Sequence, residues 1–493
     1  MLMGRMRTTS LLFSALLVGP ALAQGREPEH GAHPATLEIK NVIVVKGDGT
    51  PPSGPQSVYV KDGLIVGEKL DSPVAVIDGQ GGYLLPGFVS THAHIQEEAA
   101  GIPIAQEYQL ALWLACGITT IRDAGSTYAR ALKIREKSKK GEIAAPRVLL
   151  YKTFGSVTSV DEAEKRVRAF KESGADGIKL WSNAAYDRDF LAAILDTAKK
   201  VDLRCTAHIG VGPTNAVDYA ELGVTSIEHW YGIPEAALGG VQSFPGDFNY
   251  GNELLRFRYS GRVWRETSTE RLESVLAYLA DKGVAWSPTL AVYEAARDVV
   301  RAQNQPWFKE YLHPALETFF TPNLASHGSF FVGWTSADEA AWRENYRLWM
   351  AALQSFERKG GVITTGEDAG YIYLLYGFGL LRELELHLEA GFHPLEVIRH
   401  ATWNGAKTLG MESSFGRVRA GLSADLVIVD GNPLENLKVL YPGGADCYEA
   451  GKTVRRAGIR WTIKEGFCYS APRLLEQARE IVAKARTAKT PAK

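Results

Sequence analysis

One unit recurs through the middle of the chain: a helical stretch, a glycine, a short apolar strand and then a polar residue. It reads YQLALWLACGITTIRD, VRAFKESGADGIKLW, AVDYAELGVTSIEHW, VLAYLADKGVAWSPTL and LQSFERKGGVITTGED. The glycines, Gly117, Gly174, Gly223, Gly283 and Gly360/Gly361, suit the left-handed position that ends a helix. ILDTAKKVDLRCTAH repeats the unit without a glycine. Each following strand is a short apolar run, as expected where both faces are covered. Helices alternating with such strands imply parallel βαβ units. With YLLPGFVSTHAH first and RVLLYKT third, the count reaches eight, and eight parallel units close most naturally into a barrel. The predicted fold class is therefore α/β, a (β/α)8 TIM barrel over 84–409 with long connections at 231–275 and 290–360.

A different pattern flanks the barrel. ATLEIKNVIVVKGDG, SVYVKDGLIV and VAVIDGQGG precede it, and ADLVIVDGNP, CYEAGKTVRRAG and IRWTIKEG follow it. These alternating strands with glycine-rich turns predict one small β-sandwich-like domain built from 36–83 and 410–465. Residues 24–35 read as a linker, and 466–493 as a helix with a frayed polar end. At the start, Arg5 and Arg7 precede the apolar TTSLLFSALLVGPALA, and Ala21-Leu22-Ala23 has the small-x-small pattern of a cleavage site. The expectation is a signal peptide over 1–23, cut before Gln24, and an exported protein, periplasmic or extracellular. That apolar stretch is too short for a membrane anchor, and no cysteine before Cys116 could carry a lipid. The formal net charge is −1, near neutral, which argues against nucleic acid as a partner. Four cysteines are too few and too scattered for a disulfide framework. Cys116 and Cys205 read as buried thiols, while Cys447 and Cys468 are close enough in sequence for a bridge.

In such a barrel the chemistry gathers at the C-terminal ends of the strands. His92 and His94 end strand one, and positions i and i+2 of a strand share a face. Lys179 ends strand four, His208 strand five, His229 strand six and Asp368 strand eight. Imidazole and carboxylate together suit zinc or a similar divalent ion. Lys179 within an apolar strand is costly as an unpaired ammonium. Either it snorkels to solvent, or it has reacted with carbon dioxide and become a carbamate, an anionic ligand able to bridge two cations. Asp368 can ligate and accept a proton, whereas its neighbour Glu367 points to the opposite side if the strand continues. The aromatic residues of the long connections read either as a lid and pocket wall or as small cores of their own. Arg122 and Asp123 read as paired with each other. Tyr231, Arg256, Arg258 and Arg262 lie where they could meet a substrate carboxylate, with a solvated surface as the plainer reading of each arginine. His313, His327, His387, His393 and His400 read as ordinary surface or helix residues.

Seven segments, in order, resemble the amidohydrolase superfamily, specifically its imidazolonepropionase-like and Xaa-Pro or Xaa-Arg dipeptidase-like branch. They are LLPGFVSTHAH, GITTIRDAG, GADGIKLW, AHIGVGPTNAVDYAELGVTSIEHW, GEDAG, ELELHLEAGFHPLEVIRHATWNGAKTLG and GRVRAGLSADLVIVDGNPLENL. The resemblance runs over about 36–465 and is weakest in the two long connections. It implies the split β domain and two divalent metal ions, zinc by preference. Their ligands would be His92, His94, a carbamate on Lys179, His208, His229 and Asp368. It further implies cleavage of a C–N bond (an amide, peptide-like or cyclic amide) in a small-molecule or dipeptide-like substrate. Metal-bound hydroxide would attack, and Asp368 would carry the proton. The chain departs from the branch in places. Strand five reads Thr206-Ala207-His208 where H-A-H is frequent, and Trp230 follows His229 where a small residue is usual. Trp230 and Tyr231 are accordingly the candidate substrate contacts. A deaminase on this scaffold carries Glu three residues after the strand-five histidine; here that residue is Val211, which disfavours deamination. A lactonase or esterase stays open, because the same attack barely distinguishes acyl acceptors. A non-catalytic binding protein is opposed by the intact ligand set. A homo-oligomer is compatible with all of these readings.

Overall fold

The structure is a computed structural model that describes residues 25–181, 186–210, 212–238, 249, 252–323, 331 and 333–489. The signal peptide expected over 1–23, together with Val211 and His327, lies outside the described residues.

Among the described residues, eight parallel strands pair in chain order. They are Phe88–Ala93 (β1), Ile118–Asp123 (β2), Arg147–Phe154 (β3), Gly177–Leu180 (β4), Arg204–Ala207 (β5), Ser226–Glu228 (β6), Ala285–Ser287 (β7) and Val362–Ile363 (β8). β1, β2, β4, β6 and β7 are buried at every position, their polar residues included, Arg122, Lys179 and Glu228 among them. The intervening helices start and stop where their local chemistry allows. Ser159 and Asp187 accept from the backbone of Glu162 and Phe190 at the starts of Val160–Glu172 and Arg188–Lys200. Gly174 takes a φ of +81° just beyond the first of these, a conformation that a side chain resists.

The sheet curls until its two ends approach. Thr91 N donates to Thr365 O at 2.8 Å, and His92 O accepts from Asp368 N at 3.0 Å. The regular ladder nevertheless stops at Ile363, because the chain leaves strand geometry there and Asp368 adopts a φ of +49°. The expected barrel is thus found as a curled parallel sheet of eight strands.

The flanking segments form one mixed sheet of eight strands, not a sandwich. Leu426–Asp430 pairs with Tyr83–Pro86 on one side and Gly458–Lys464 on the other, so the two ends of the chain meet at its centre. Tyr83–Pro86 and Phe467–Ser470 carry this sheet past the expected bounds of 83 and 465. Ala445–Glu449 and Lys452–Arg456 stand apart as a hairpin. The helix Ala471–Lys489 packs on the helix Gln106–Ala115. No bridge joins Cys447 to Cys468: both are free thiols, one on the hairpin and one buried in the sheet. Among the described residues no helix is long and apolar enough to cross a membrane.

Candidate metal centre

The residues that end the strands converge at one end of the curled sheet. His94 Nε2 lies 3.2 Å from Asp368 Oδ1, His92 Nε2 3.7 Å from the same oxygen, and His229 Nε2 3.9 Å from Oδ2. Lys179 Nζ is 3.3 Å from His92 Nε2. The His208 ring packs 4.4 Å from that of His229, centroid to centroid. His92, His229 and Asp368 offer ligand atoms within 4.8 Å of one another, and His208 Nε2 is buried without a hydrogen-bond partner among the described residues. Leaving such a nitrogen buried and unbonded is costly. Together with the donor set beside it, it fits a divalent cation.

Burial holds His208 and His229 well below the ordinary imidazole range and takes His92 to about 4. Burial thus favours the neutral ring, the form that ligates. Burial pushes the Asp368 carboxyl up, but His92, His94 and His229 outweigh it and hold the group well below its usual range. Lys179 has no exposed surface, and burial lowers it to about 8.

What orients the rings was not read from the sequence. His92 Nδ1 lies 2.7 Å from Glu228 Oε2 on β6. Burial raises Glu228, yet Arg122, His92 and Lys179 prevail and keep it ionised. A carboxylate only accepts, so Nδ1–H donates and Nε2 keeps its lone pair toward Asp368. The other Glu228 oxygen accepts from Arg122 and Thr206. The expected Arg122–Asp123 pair is therefore absent: Arg122 turns into the sheet interior, and Asp123 accepts from Ser126. Adjacent strand residues point to opposite faces, which separates them. Glu228 carries the same mark in the sequence as Lys179, since a charged side chain inside a buried strand needs partners. His229 Nδ1 lies 2.6 Å from Thr289 Oγ1. His229, Thr289 and Asp368 all have left-handed backbones, with φ of +61°, +50° and +49°. Such conformations are retained where the surroundings over-determine them.

Glu367 points away from the cluster, although the strand does not continue to it. It accepts from Trp113 Nε1 and from the backbone of Gly377 and Leu380, and burial raises it to about 8.

A cavity of about 420 Å³ opens over the cluster. Beyond the histidines and Asp368, its walls include Trp181, Arg256, Phe257, Tyr293 and Tyr371. Arg256 thus lines the cavity, half-buried. Arg262 is exposed, and Arg258 donates to Gly333 O. Trp230 does not line the cavity. Its ring is buried against Tyr231, Trp342 and Trp349, because the left-handed turn at His229 sends the next side chain into the core of the long connections. Tyr231 stacks on His208 at 4.9 Å and 16°, backing that ring. Most tryptophans of the connections, including Trp264, Trp342 and Trp349, are fully buried in the same core. His313, His387 and His400 are buried and not surface residues.

Residues 83–241 and 349–455 match the model of the amidohydrolase family. An ochratoxinase of Aspergillus niger is 29% identical over 238 residues, which are 46% of this chain and 47% of that protein. The chain so spans about half the length of the curated relatives it matches. Among solved structures, a Xaa-Pro dipeptidase with bound methionine superposes with a TM-score of 0.61 at 19% identity, over 88% of this chain and 100% of that one. The A. niger ochratoxinase gives 0.61 at 17%, over 90% and 97%. A bottromycin amidohydrolase gives 0.62 at 18%, over 92% of each chain. These structural likenesses are of fold alone. The family match is wider than half the chain, and its two segments contain all six strand-end residues gathered at the cluster. On that match, the chain belongs to the amidohydrolase family.

Proposed function

We propose that this protein hydrolyses a C–N bond, the amide of a small carboxylated or dipeptide-like substrate, with metal assistance. The observation that carries the reading is the cluster of four histidines and Asp368 over a buried Lys179, at the floor of a cavity sized for a small ligand. Two divalent ions, zinc by the donor set, would be held by His92, His94, a carbamate on Lys179, His208, His229 and Asp368. Bound there, they supply a Lewis acid for the carbonyl and a lowered pKa for water.

The chain's own residues do the rest. Lys179 is too deep to snorkel. Burial brings its amine to about 8, so at neutral pH a fraction is uncharged, the form that adds carbon dioxide. The carbamate turns a costly buried ammonium into an anion facing imidazoles. Asp368, on the cavity wall, takes the proton of the attacking water and passes it to the leaving nitrogen. Arg256, its guanidinium 4.8 Å above the Phe257 ring, anchors a substrate carboxylate, while Trp181, Tyr293 and Tyr371 pack on the apolar part. The names of the similar folds, a Xaa-Pro dipeptidase and a bottromycin amidohydrolase, agree with amide cleavage. The pattern of residues 1–23 supports export.

The test is a hydrolysis screen of the zinc-reconstituted protein against dipeptides, N-acyl amino acids, lactams and lactones. Amides with a free carboxylate should be cleaved, and a chelator should abolish the activity. Cleavage of lactones alone, or no bound zinc, would overturn the reading.

A further inference from the structure

We infer that Glu383, on the helix Phe378–Glu389 and behind the cavity wall, positions His229, and that it acts through Thr289. The inference rests on the reading of His229 as a metal ligand. Thr289 is fully buried and left-handed, with φ of 50° and ψ of 48°. A β-branched residue rarely accepts that conformation, so something must hold it. Two ties do. Its Oγ1 lies 2.6 Å from His229 Nδ1. Directly after it, Leu290 N and Ala291 N donate to the two oxygens of Glu383, at 3.0 and 2.7 Å. One carboxylate thus grips the first turn of Leu290–Tyr293 with both oxygens, immediately beside the strained residue. The same helix holds the segment again farther on, where Arg382 donates to Glu294 at 2.8 and 2.6 Å.

Glu383 is itself fully buried, and polar side chains meet it from behind. His387 Nε2 lies 3.3 Å from Glu383 Oε1, His387 Nδ1 lies 3.0 Å from His400 Nδ1, and His400 Nε2 lies 2.9 Å from Glu357 Oε1. This buried row fixes the carboxylate in place from the side opposite Leu290 and Ala291. The grip on Leu290 and Ala291 keeps Thr289 left-handed. Thr289 Oγ1 in turn accepts from His229 Nδ1–H, which leaves Nε2 its lone pair on the Asp368 side. Without the grip Thr289 relaxes, and His229 loses both its tautomer and its aim.

The experiment is zinc affinity by chelator competition on the full chain, with thermal stability measured in the same preparations. Glu383→Gln supplies one acceptor where two N–H groups need one each. It should weaken one of the two zinc ions by roughly 10- to 100-fold, as loss of an outer partner of a metal ligand does. Thr289→Val should do the same, and Thr289→Ser should keep the parent affinity. The double variant should be no weaker than Thr289→Val alone, because both changes act along one path. If Glu383→Gln fails to fold, Glu383→Asp, one methylene short of both N–H groups, should show the same selective loss. Unchanged zinc affinity with a lowered melting temperature would make Glu383 a fastening of the helices only and would overturn the inference. Additive effects in the double variant would do so too. A parent protein that binds no zinc would overturn the metal reading itself, and this inference with it.

Discussion

Replacing Lys179 with methionine separates the cost of that side chain from its use. In the metal-free, unmodified protein the amine has no exposure, and burial lowers it from 10.5 to about 8 although Glu228 and Asp368 act the other way. Below pH 8 the folded and unfolded chains both hold the proton, and folding bears the full cost of the buried charge. Between pH 8 and 10.5 the folded chain has released the proton while the unfolded chain keeps it, so stability rises with pH. Above that window neither holds it, and the cost has gone. A gap of this width corresponds to about 3 kcal/mol. Methionine has a similar length and no charge. Metal-free Lys179→Met should therefore exceed the parent in stability by up to about 3 kcal/mol at pH 7, and the advantage should shrink toward pH 10. Supplying zinc and bicarbonate should reverse the order, because the parent then gains its ligand and the variant cannot. The assay is urea denaturation of both proteins across pH, chelated and zinc-loaded, with metal content measured alongside. A metal-free variant no more stable than the parent at pH 7 would refute the burial argument. A variant that keeps two zinc ions would refute the carbamate.

Asp368→Asn should lower kcat by roughly a hundredfold or more, and further for an amide than for a matched activated ester, whose leaving group needs no proton. kcat for the pair, with metal content checked, decides it. Glu228→Gln leaves the Arg122 guanidinium buried without its carboxylate and frees the His92 ring. Stability should fall by about 3–5 kcal/mol, and zinc affinity should fall with it, read by denaturation and chelator competition. Arg256→Gln should raise KM for a carboxylated amide by roughly 10- to 100-fold, the worth of a charged hydrogen bond, with kcat little changed and no effect on the carboxamide analogue. Protein recovered from an exporting host should begin at or near Gln24, as N-terminal sequencing would show.

Periodicity made the eight strands and their order legible, because a strand covered on both faces favours apolar residues and its helix needs a residue able to turn left-handed. A polar residue at the end of such a strand stands out. His92, His94, Lys179, His208, His229 and Asp368 could therefore be named before any contact was known, and the structure brings them together. Which residues meet across the interior was another matter. Arg122 and Asp123 are neighbours in sequence, yet Arg122 meets Glu228, 106 positions on, and Asp123 meets Ser126. Trp230 looked like a pocket wall through its place beside His229, but the backbone turn there sends it among Trp342 and Trp349. Thr289 carried no mark at all until its left-handed backbone and its distance to His229 were seen. A local pattern reports how a segment is covered. It does not report which distant segment does the covering, because that depends on how the sheet curls and how the long connections fold back over it, and only the assembled chain decides both.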